Sequence, residues 1–170
     1  MVQLASPSIQ YKDSFLIALA EFHQEKRYKT YYPKDIENFK TFVDRLNGFS
    51  KGKDLPEGYV PYTVLWLVDG VEFIGTLTIR HTLNEKLEHV GGHIGYDIRP
   101  AKRGRGYGKE ILRLGLKRAK GIGINNVLIT CDLENIPSKK IIEANGGILQ
   151  EEYSLEGKKK LKFTIDMIQV

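Results

Sequence analysis

The chain has 170 residues, of which 41% are hydrophobic and 28% are charged, a composition typical of a globular protein with its own core. The net charge is +5, but basic residues are spread along the chain without a block, so nucleic acid is not expected as a partner. No basic N-terminal segment precedes an apolar run, and no run approaches the roughly 20 residues of a membrane helix, so neither a signal peptide nor membrane contact is predicted. The only cysteine, Cys131, rules out an internal disulfide and favours a reducing compartment, most simply the cytoplasm.

The first third of the chain has the apolar spacing of two helices, one over about 9–26 and one that begins near Asp35. A glycine- and lysine-containing segment over about 47–58 is predicted to be an exposed loop. Three tyrosines lie between the two helices, and they are expected either to pack there or to line a site for an amine: Tyr28, Tyr31 and Tyr32.

The spacing then changes to that of strands. Residues 62–68 and 71–81 are rich in β-branched and aromatic residues, and the Asp69-Gly70 pair between them predicts a hairpin. The polar stretch 82–88 is predicted to be a loop. A third strand is predicted over 90–99, and Pro100 ends it.

A glycine-rich turn, Arg103-Gly104-Arg105-Gly106-Tyr107-Gly108, separates this third strand from a helix predicted over 107–120. Alternate glycines allow a tight turn that a ligand can approach closely. The helix directs its unpaired N–H groups and positive dipole end at the turn, and basic side chains, Lys109 among them, add charge. The sequence therefore predicts a pyrophosphate site.

Two common phosphate motifs do not fit this turn. A Walker A loop needs a hydroxyl residue where Glu110 stands, and a Rossmann fingerprint needs a third glycine where Lys109 stands. A Rossmann turn also follows the first strand of a parallel sheet, whereas this turn follows antiparallel strands.

The rest of the chain predicts a strand over 126–132, a short helix over 137–144, and two strands over 148–155 and 159–168. This order predicts an α+β fold, in which a mixed, mostly antiparallel central sheet is flanked by helices, as one domain over 1–170. The only parallel crossover is expected in the strand–helix–strand unit over 90–132.

The turn also fits a third pattern, in which a basic residue is followed by glycine after three and five positions, here Arg103, Gly106 and Gly108. A second block, Asn135-Ile136-Pro137-Ser138, is followed by Asn145-Gly146-Gly147. In these two blocks, over about 89–150, the chain resembles the GNAT superfamily of acyl-CoA-dependent N-acyltransferases.

The resemblance implies a GNAT-like fold and acetyl-CoA as co-substrate. It implies transfer of an acetyl group to a primary amine of a small molecule or peptide, by direct attack in a ternary complex. A non-catalytic acyl-CoA-binding sensor on the same scaffold is the alternative. No metal site is predicted, and a homodimer that pairs the final strands stays open.

The resemblance also implies which residues hold the cofactor. The backbone near Ile98 and Arg99 would pair with the pantetheine arm, the turn amides would hold the pyrophosphate, and Asn135 and Ser138 would lie beside the lower arm. The full implied set is Ile98, Arg99, Arg103, Gly104, Arg105, Gly106, Tyr107, Gly108, Lys109, Asn135 and Ser138. Asn135 is also a natural helix cap, and both roles can hold together.

The catalytic groups are less well marked. Relatives often carry a tyrosine acid seven residues after the motif asparagine, where this chain has Ile142. Many also use a carboxylate base on the third strand, where this chain has no glutamate. His93 is the best candidate base, and Asp97 shares its strand face. If they are not catalytic, His93 is a polar strand residue and Asp97 is the partner of an arginine. Tyr96 is expected to face the core. Cys131 is expected to be a small buried residue rather than an acyl carrier.

Overall fold

A computed structural model of the chain describes residues 1–26 and 36–167. The three tyrosines predicted to lie between the first two helices, and the expected helix start at Asp35, are outside these residues. None of the helices within the described ranges combines the length and the apolar character that crossing a bilayer requires.

The first sheet contains four antiparallel strands in the order β1-β2-β3-β4. They span Val2–Ala5, Tyr62–Asp69, Glu72–Arg80 and Ile94–Ile98. The hairpin predicted at Asp69-Gly70 joins β2 and β3, with Asp69 opposite Glu72. Strand β1 was not predicted, because it has only four residues and pairs with a strand about sixty residues away.

The second sheet contains three antiparallel strands in the order β5-β7-β6. They span Asn126–Asp132, Ile148–Leu155 and Lys158–Asp166 for β5, β6 and β7. Strand β6 lies at an edge, and its residues Ile148 and Leu149 are exposed. Pairing of such an edge between two copies of the chain stays a prediction.

The described residues form five α-helices. They span Lys12–Gln24 (α1), Phe39–Gly48 (α2), Glu85–His89 (α3), Tyr107–Gly121 (α4) and Ile136–Ala144 (α5). Helix α3 lies where a loop was predicted. It forms because Asn84 caps it, with Oδ1 accepting a hydrogen bond from the Leu87 N–H at 3.0 Å.

The core has two parts. Helices α4 and α5 contribute Leu112, Leu116 and Ile142 to an aliphatic cluster that includes residues of both sheets. Helices α1 and α2 form a second, aromatic cluster on β2 and β3, in which the Phe15 and Trp66 rings stack at 4.8 Å. The predicted α+β class, with helices flanking antiparallel strands, is confirmed.

The predicted parallel crossover requires a correction. Strands β4 and β5 belong to different sheets, and an isolated bridge between Gly92 and Ile129 joins the segment just before β4 to β5. Gly92 has φ of 62°, and a Cβ atom there would overlap the carbonyl of Leu128, so only glycine fits this close approach. The turn at Gly91 and Gly92 delays the start of β4 to Ile94, and the strands separate beyond the bridge.

Candidate active site

A cleft of about 290 Å³ lies where β4 and β5 separate. Its walls come from both strands and from the start of α5, and they include Arg80, Gly95, Tyr96, Thr130, Cys131, Asn135 and Ser138. Of the two sequence blocks on which the family resemblance depends, the second contributes Asn135 and Ser138 to this cleft, whereas the glycine-rich turn follows the strand that carries Gly95 and Tyr96.

The glycine-rich turn follows the C-terminal end of β4 and leads into α4. Gly104 and Gly106 have φ of 75° and 84°, and a Cβ atom at either position would meet no other atom within 4 Å. Among residues 1–26 and 36–167, the N–H groups from Gly104 to Gly108 have no acceptor. Arg105 and Lys109 are exposed and form no salt bridge with any described residue. Open space, unpaired N–H donors and free positive charge together fit a pyrophosphate.

Gly108 has a different task from the other two glycines. A Cβ atom there would overlap the Cδ1 atom of Ile141, so Gly108 allows α4 to pack closely on α5. Tyr107 is half-buried and packs against the aliphatic core. At the same contact, the Asn145 side chain donates to the Lys109 carbonyl at 3.3 Å.

The side chains of Arg103 and Arg99 brace the turn from within the protein. Arg103 donates from Nε to the Ile98 carbonyl at 3.0 Å and from Nη1 to Glu25 at 2.8 Å. Arg99 is only 9% exposed, and it donates from Nε and Nη2 to Glu21 Oε1 at 2.9 and 2.7 Å. The Arg99 hydrogen bond lowers the pKa of Glu21. Both guanidinium groups therefore position the turn for a ligand.

The backbone expected to pair with pantetheine is partly occupied. The Ile98 N–H donates to Asp97 Oδ1 at 2.9 Å, and the Ile98 carbonyl accepts from Arg103. The Arg99 N–H donates to the carbonyl of Ile74 at 2.9 Å. Because alternate residues of a strand direct their backbone groups to opposite edges, Tyr96 directs its own toward the cleft. Tyr96 is therefore a better candidate for this pairing than Ile98 or Arg99.

Asn135 caps α5, with Oδ1 accepting a hydrogen bond from the Ser138 N–H at 3.2 Å. This cap fixes the first turn of α5 and places Ser138 Oγ 3.1 Å from the Tyr96 hydroxyl oxygen. Asn135 and Ser138 line the cleft as expected, and the helix-cap role of Asn135 is also present.

Tyr96 is a candidate functional residue that the strand pattern missed. It packs against the core as expected, but its hydroxyl reaches the cleft, since α5 lies directly beside it. Burial raises the pKa of Tyr96 to about 12, although the Ser138 hydrogen bond opposes the shift. The phenol therefore keeps its proton at neutral pH and can act as a donor. Only the packing of α5, which no local pattern reveals, brings it to Ser138.

Cys131 lies beside this pair and is 8% exposed. Burial raises the pKa of its thiol, and Asp132 raises it further. A thiol that stays protonated at neutral pH is a weak nucleophile, in keeping with a small buried residue.

His93 ties the chain just before β4 to β5. The ring Nδ1 of His93 accepts a hydrogen bond from the Leu128 backbone N–H at 3.0 Å. The backbone N–H of His93 donates to the Leu128 carbonyl at 2.7 Å. Using the Nδ1 lone pair in this way leaves the proton on Nε2, so the ring offers a donor and not a free base. Burial lowers the pKa of His93, and the charge of Arg80 lowers it further. Its role as base stays a prediction, against which this hydrogen bond argues.

This arrangement predicts a pH-dependent stability. Because the folded-state pKa of His93 lies below the ordinary value of 6.5, the unfolded chain takes up this proton first as the pH falls. We expect the free energy of unfolding to fall between about pH 7 and pH 5, and to fall less in His93→Gln, whose amide oxygen can still accept from Leu128. Urea denaturation at several pH values measures both slopes, and equal slopes would contradict the assignment.

Asp97 lies at the other end of β4, about 13 Å from His93 at the spacing of residues in a strand. Its Oδ1 is 3.7 Å from Arg103 Nη2, and it also accepts from the Ile98 N–H. The structure therefore does not bring Asp97 and His93 together, and Asp97 has the arginine partner that was its alternative interpretation. Its catalytic role stays a prediction.

A second cavity, of about 630 Å³, lies between β2, β3 and the N-terminal helices, and we call it the acceptor cavity. Its wall is mostly aromatic and aliphatic, with Phe15, Phe22, Phe42, Phe49, Tyr59, Tyr62, Trp66 and Phe73. Arg80, Val90 and Gly91 line both this cavity and the cleft, so the two spaces adjoin. Burial lowers the pKa of Arg80.

The described residues contain no cluster of three or more His, Cys, Asp or Glu side chains that could hold a metal ion. Ile142, which stands where relatives often have a tyrosine acid, is fully buried in the aliphatic core. No proton donor can come from that position.

The fold is an α+β fold with a cleft where two neighbouring strands separate and a glycine-rich turn with unpaired N–H groups after the first of them. The family model described as an acetyltransferase (GNAT) domain matches residues 9–148. The chain therefore belongs to the GNAT acetyltransferase family, whose members use acetyl-CoA, and it is an acetyltransferase. The resemblance drawn from the two sequence blocks is confirmed.

Solved structures share the fold at low sequence identity. RimJ from Mycobacterium smegmatis, in complex with CoA-disulfide, is 18% identical with a TM-score of 0.72, over 99% of this chain and 83% of that one. The microcin self-immunity acetyltransferase MccE, in complex with acetyl-CoA and AMP, is 12% identical with a TM-score of 0.68, over 97% and 92%. The ribosomal-protein α-N-acetyltransferase RimL, with CoA disulfide-bonded to one of its cysteines, is 14% identical with a TM-score of 0.67, over 98% and 94%. No curated protein sequence matches the chain significantly.

Proposed function

We propose that this chain is a cytoplasmic N-acetyltransferase that moves the acetyl group of acetyl-CoA to a primary amine of a small molecule or peptide. Transfer occurs by direct attack within a ternary complex. The observation that carries the proposal is the open glycine turn with unpaired N–H groups at Gly104–Gly108. It follows the strand that lines the cleft, and the cleft in turn adjoins the acceptor cavity.

When bound, acetyl-CoA supplies a thioester, whose carbonyl carbon bonds to the amine nitrogen while its bond to sulfur breaks and leaves a thiolate. The turn from Gly104 to Gly108 holds the pyrophosphate through its N–H groups, with the charges of Arg105 and Lys109 adding to the attraction. Tyr96 offers its backbone to the pantetheine arm. Holding both substrates in adjoining cavities supplies much of the acceleration.

The Tyr96–Ser138 pair is the proposed acid. Its two hydroxyl groups are 3.1 Å apart on the cleft wall, and the high pKa of Tyr96 keeps a proton available. The pair supplies a phenol to the cleft, which the position of Ile142 cannot do. One hydroxyl can pass its proton to the departing sulfur while the other donates its own proton to the first, and water then restores the proton of the second hydroxyl.

The base has a smaller task, because the amine only has to lose its proton before it attacks. His93 and Asp97 remain the proposed candidates from this chain, and water can accept the proton where neither serves. We expect the base to contribute less to the rate than the positioning of the two substrates.

The proposal is tested by titrating the protein with acetyl-CoA and by following CoA thiol release over a panel of amines. Saturable binding below millimolar concentration, with thiol release in the presence of at least one amine, is expected. Binding without release on any amine would favour the acyl-CoA sensor. Absence of binding would contradict the cofactor assignment.

Cys131 provides a reporter of where the cofactor thiol lies. RimL holds CoA through a disulfide to one of its cysteines, and here Cys131 lines the cleft beside Ser138. We expect CoA disulfide to exchange with Cys131, which forms a mixed disulfide as one CoA thiolate departs. The buried thiol with its raised pKa should react slowly with a disulfide that is not held beside it. Bound CoA disulfide should therefore react at least about tenfold faster than hydroxyethyl disulfide, which cannot bind the turn.

Mass spectrometry of the intact chain measures both rates. Cys131→Ser removes the only cysteine and should abolish the added mass, and acetyl-CoA should protect the wild-type chain. Equal rates for the two disulfides would place the cofactor thiol elsewhere.

A further inference from the structure

The geometry points to an acceptor that carries both a large apolar group and an anionic group close to its amine, as an apolar α-amino acid does. Arg80 receives the anionic group at the junction of the cleft and the acceptor cavity. This inference rests on the proposed function, and it names the class of substrate that the same site takes.

The acceptor cavity selects by its apolar wall. It is lined by aromatic rings from α1, α2, β2 and β3, and its volume of about 630 Å³ lies within the range for small-molecule sites. A strongly hydrated acceptor would gain nothing from such a wall, whereas an aromatic or branched aliphatic group would be removed from water.

The charged side chains of the same wall favour an acceptor with a negative charge over one with several positive charges. Its described residues include three cations, Arg45, Arg80 and Lys86, and no aspartate or glutamate. A polyamine or another polycation would meet repulsion there, without a carboxylate to receive it. A carboxylate on the acceptor would meet attraction.

Arg80 is the cation placed to receive that carboxylate. Its side chain is half-buried, and Nη1 donates to the carbonyls of Gly92 at 3.0 Å and Gly91 at 3.4 Å. No acidic residue in 1–26 or 36–167 forms a salt bridge with it. A buried guanidinium that has only carbonyl partners retains donors for a carboxylate, which it can bind through two parallel hydrogen bonds.

The position of Arg80 sets the orientation of the acceptor. Arg80 lines the cleft together with Tyr96, Cys131 and Ser138, and it also lines the acceptor cavity. A carboxylate held at this junction places an amine on the neighbouring carbon at the cleft, with the side chain of the acceptor directed into the aromatic cavity.

The test compares three ligands on the CoA-loaded protein by isothermal titration. L-Phenylalanine has both groups, phenethylamine lacks the carboxylate, and spermidine is a polycation. We expect phenylalanine to bind at least about tenfold more tightly than phenethylamine, and spermidine to bind most weakly. Equal or tighter binding of phenethylamine or spermidine would overturn the inference.

Arg80→Gln and Lys86→Gln provide matched variants, because each removes one cation from the wall of the same cavity and only Arg80 is half-buried at the junction. Arg80→Gln should weaken phenylalanine about tenfold and phenethylamine less than about twofold, and Lys86→Gln should change neither by more than about twofold. If Arg80 has only a structural role, Arg80→Gln should lower the affinity for both ligands equally, and that result would overturn the inference. The comparison of ligands on the wild-type protein stands even where Arg80→Gln does not fold.

Thiol release separates this inference from the proposed function. Release with phenethylamine or spermidine but not with phenylalanine overturns the inference and leaves the acetyltransferase proposal intact. Absence of release with every amine counts against the acetyltransferase proposal, and the binding comparison still decides the inference.

Discussion

Gly106→Leu is expected to weaken acetyl-CoA binding by at least about 100-fold, which corresponds to the loss of two or more charge-assisted hydrogen bonds. Gly106 precedes the first residue of α4 with φ of 84°, and the space beside it is empty. A leucine side chain would project into the volume proposed for the pyrophosphate, and the strained backbone would also turn N–H groups away from it. Isothermal titration measures the change.

Gly157→Leu is the matched control. Gly157, in the turn between β6 and β7, has φ of 77° and equally empty surroundings, so both variants should lose a similar roughly 1–2 kcal/mol of stability. Gly157→Leu should keep acetyl-CoA affinity within about twofold of wild type, because it leaves the cofactor turn intact. Similar affinity losses in both variants would show a general effect of strain and contradict a pyrophosphate site at Gly106.

Removing both hydroxyl groups of the proposed acid is expected to lower kcat by about 100-fold without a comparable change in acetyl-CoA affinity. The double variant Tyr96→Phe with Ser138→Ala leaves no protonated hydroxyl of the pair beside Cys131. Each single variant should lose less than the double, because the remaining hydroxyl can still reach the sulfur. The expected effect is on kcat, since the proton moves only as the thiolate leaves.

Tyr153→Phe provides a control for the loss of a partly buried phenol hydroxyl that donates a hydrogen bond. The Tyr153 hydroxyl donates to the His89 carbonyl and does not line the cleft, so kcat should stay within about twofold of wild type. A double variant at Tyr96 and Ser138 with wild-type kcat would show that water protonates the thiolate. Loss of cofactor affinity equal to the loss of kcat would instead assign the pair a role in binding.

Much of the fold follows from local patterns. The Asp69-Gly70 turn, the alternation in β2 and β3, and the apolar spacing of α4 each depend on residues close in sequence, and each was predicted. Strand β1 could not be found in this way, since its existence depends on pairing with distant β2. Helix α3 depends on one cap at Asn84 within a polar stretch that has no apolar spacing.

The candidate site likewise has features that local sequence predicts and features that depend on distant contacts. The glycine-rich turn was predicted as a pyrophosphate site because alternate glycines before a helix are a local signature of phosphate binding, and that role stays a prediction. The braces from Glu21 and Glu25 to the turn depend on contacts about eighty residues apart. The pairing of Tyr96 with Ser138, and the position of Arg80 between two cavities, depend on how β4 and β5 separate. No spacing in the sequence encodes that separation.

The most direct measurement of the central claim is a crystal structure of the chain with CoA bound. We expect the pyrophosphate to accept hydrogen bonds from N–H groups within Gly104–Gly108, and the thiol to lie in the cleft beside Tyr96, Cys131 and Ser138. CoA bound away from this turn, or a turn left empty at saturating CoA, would contradict the account.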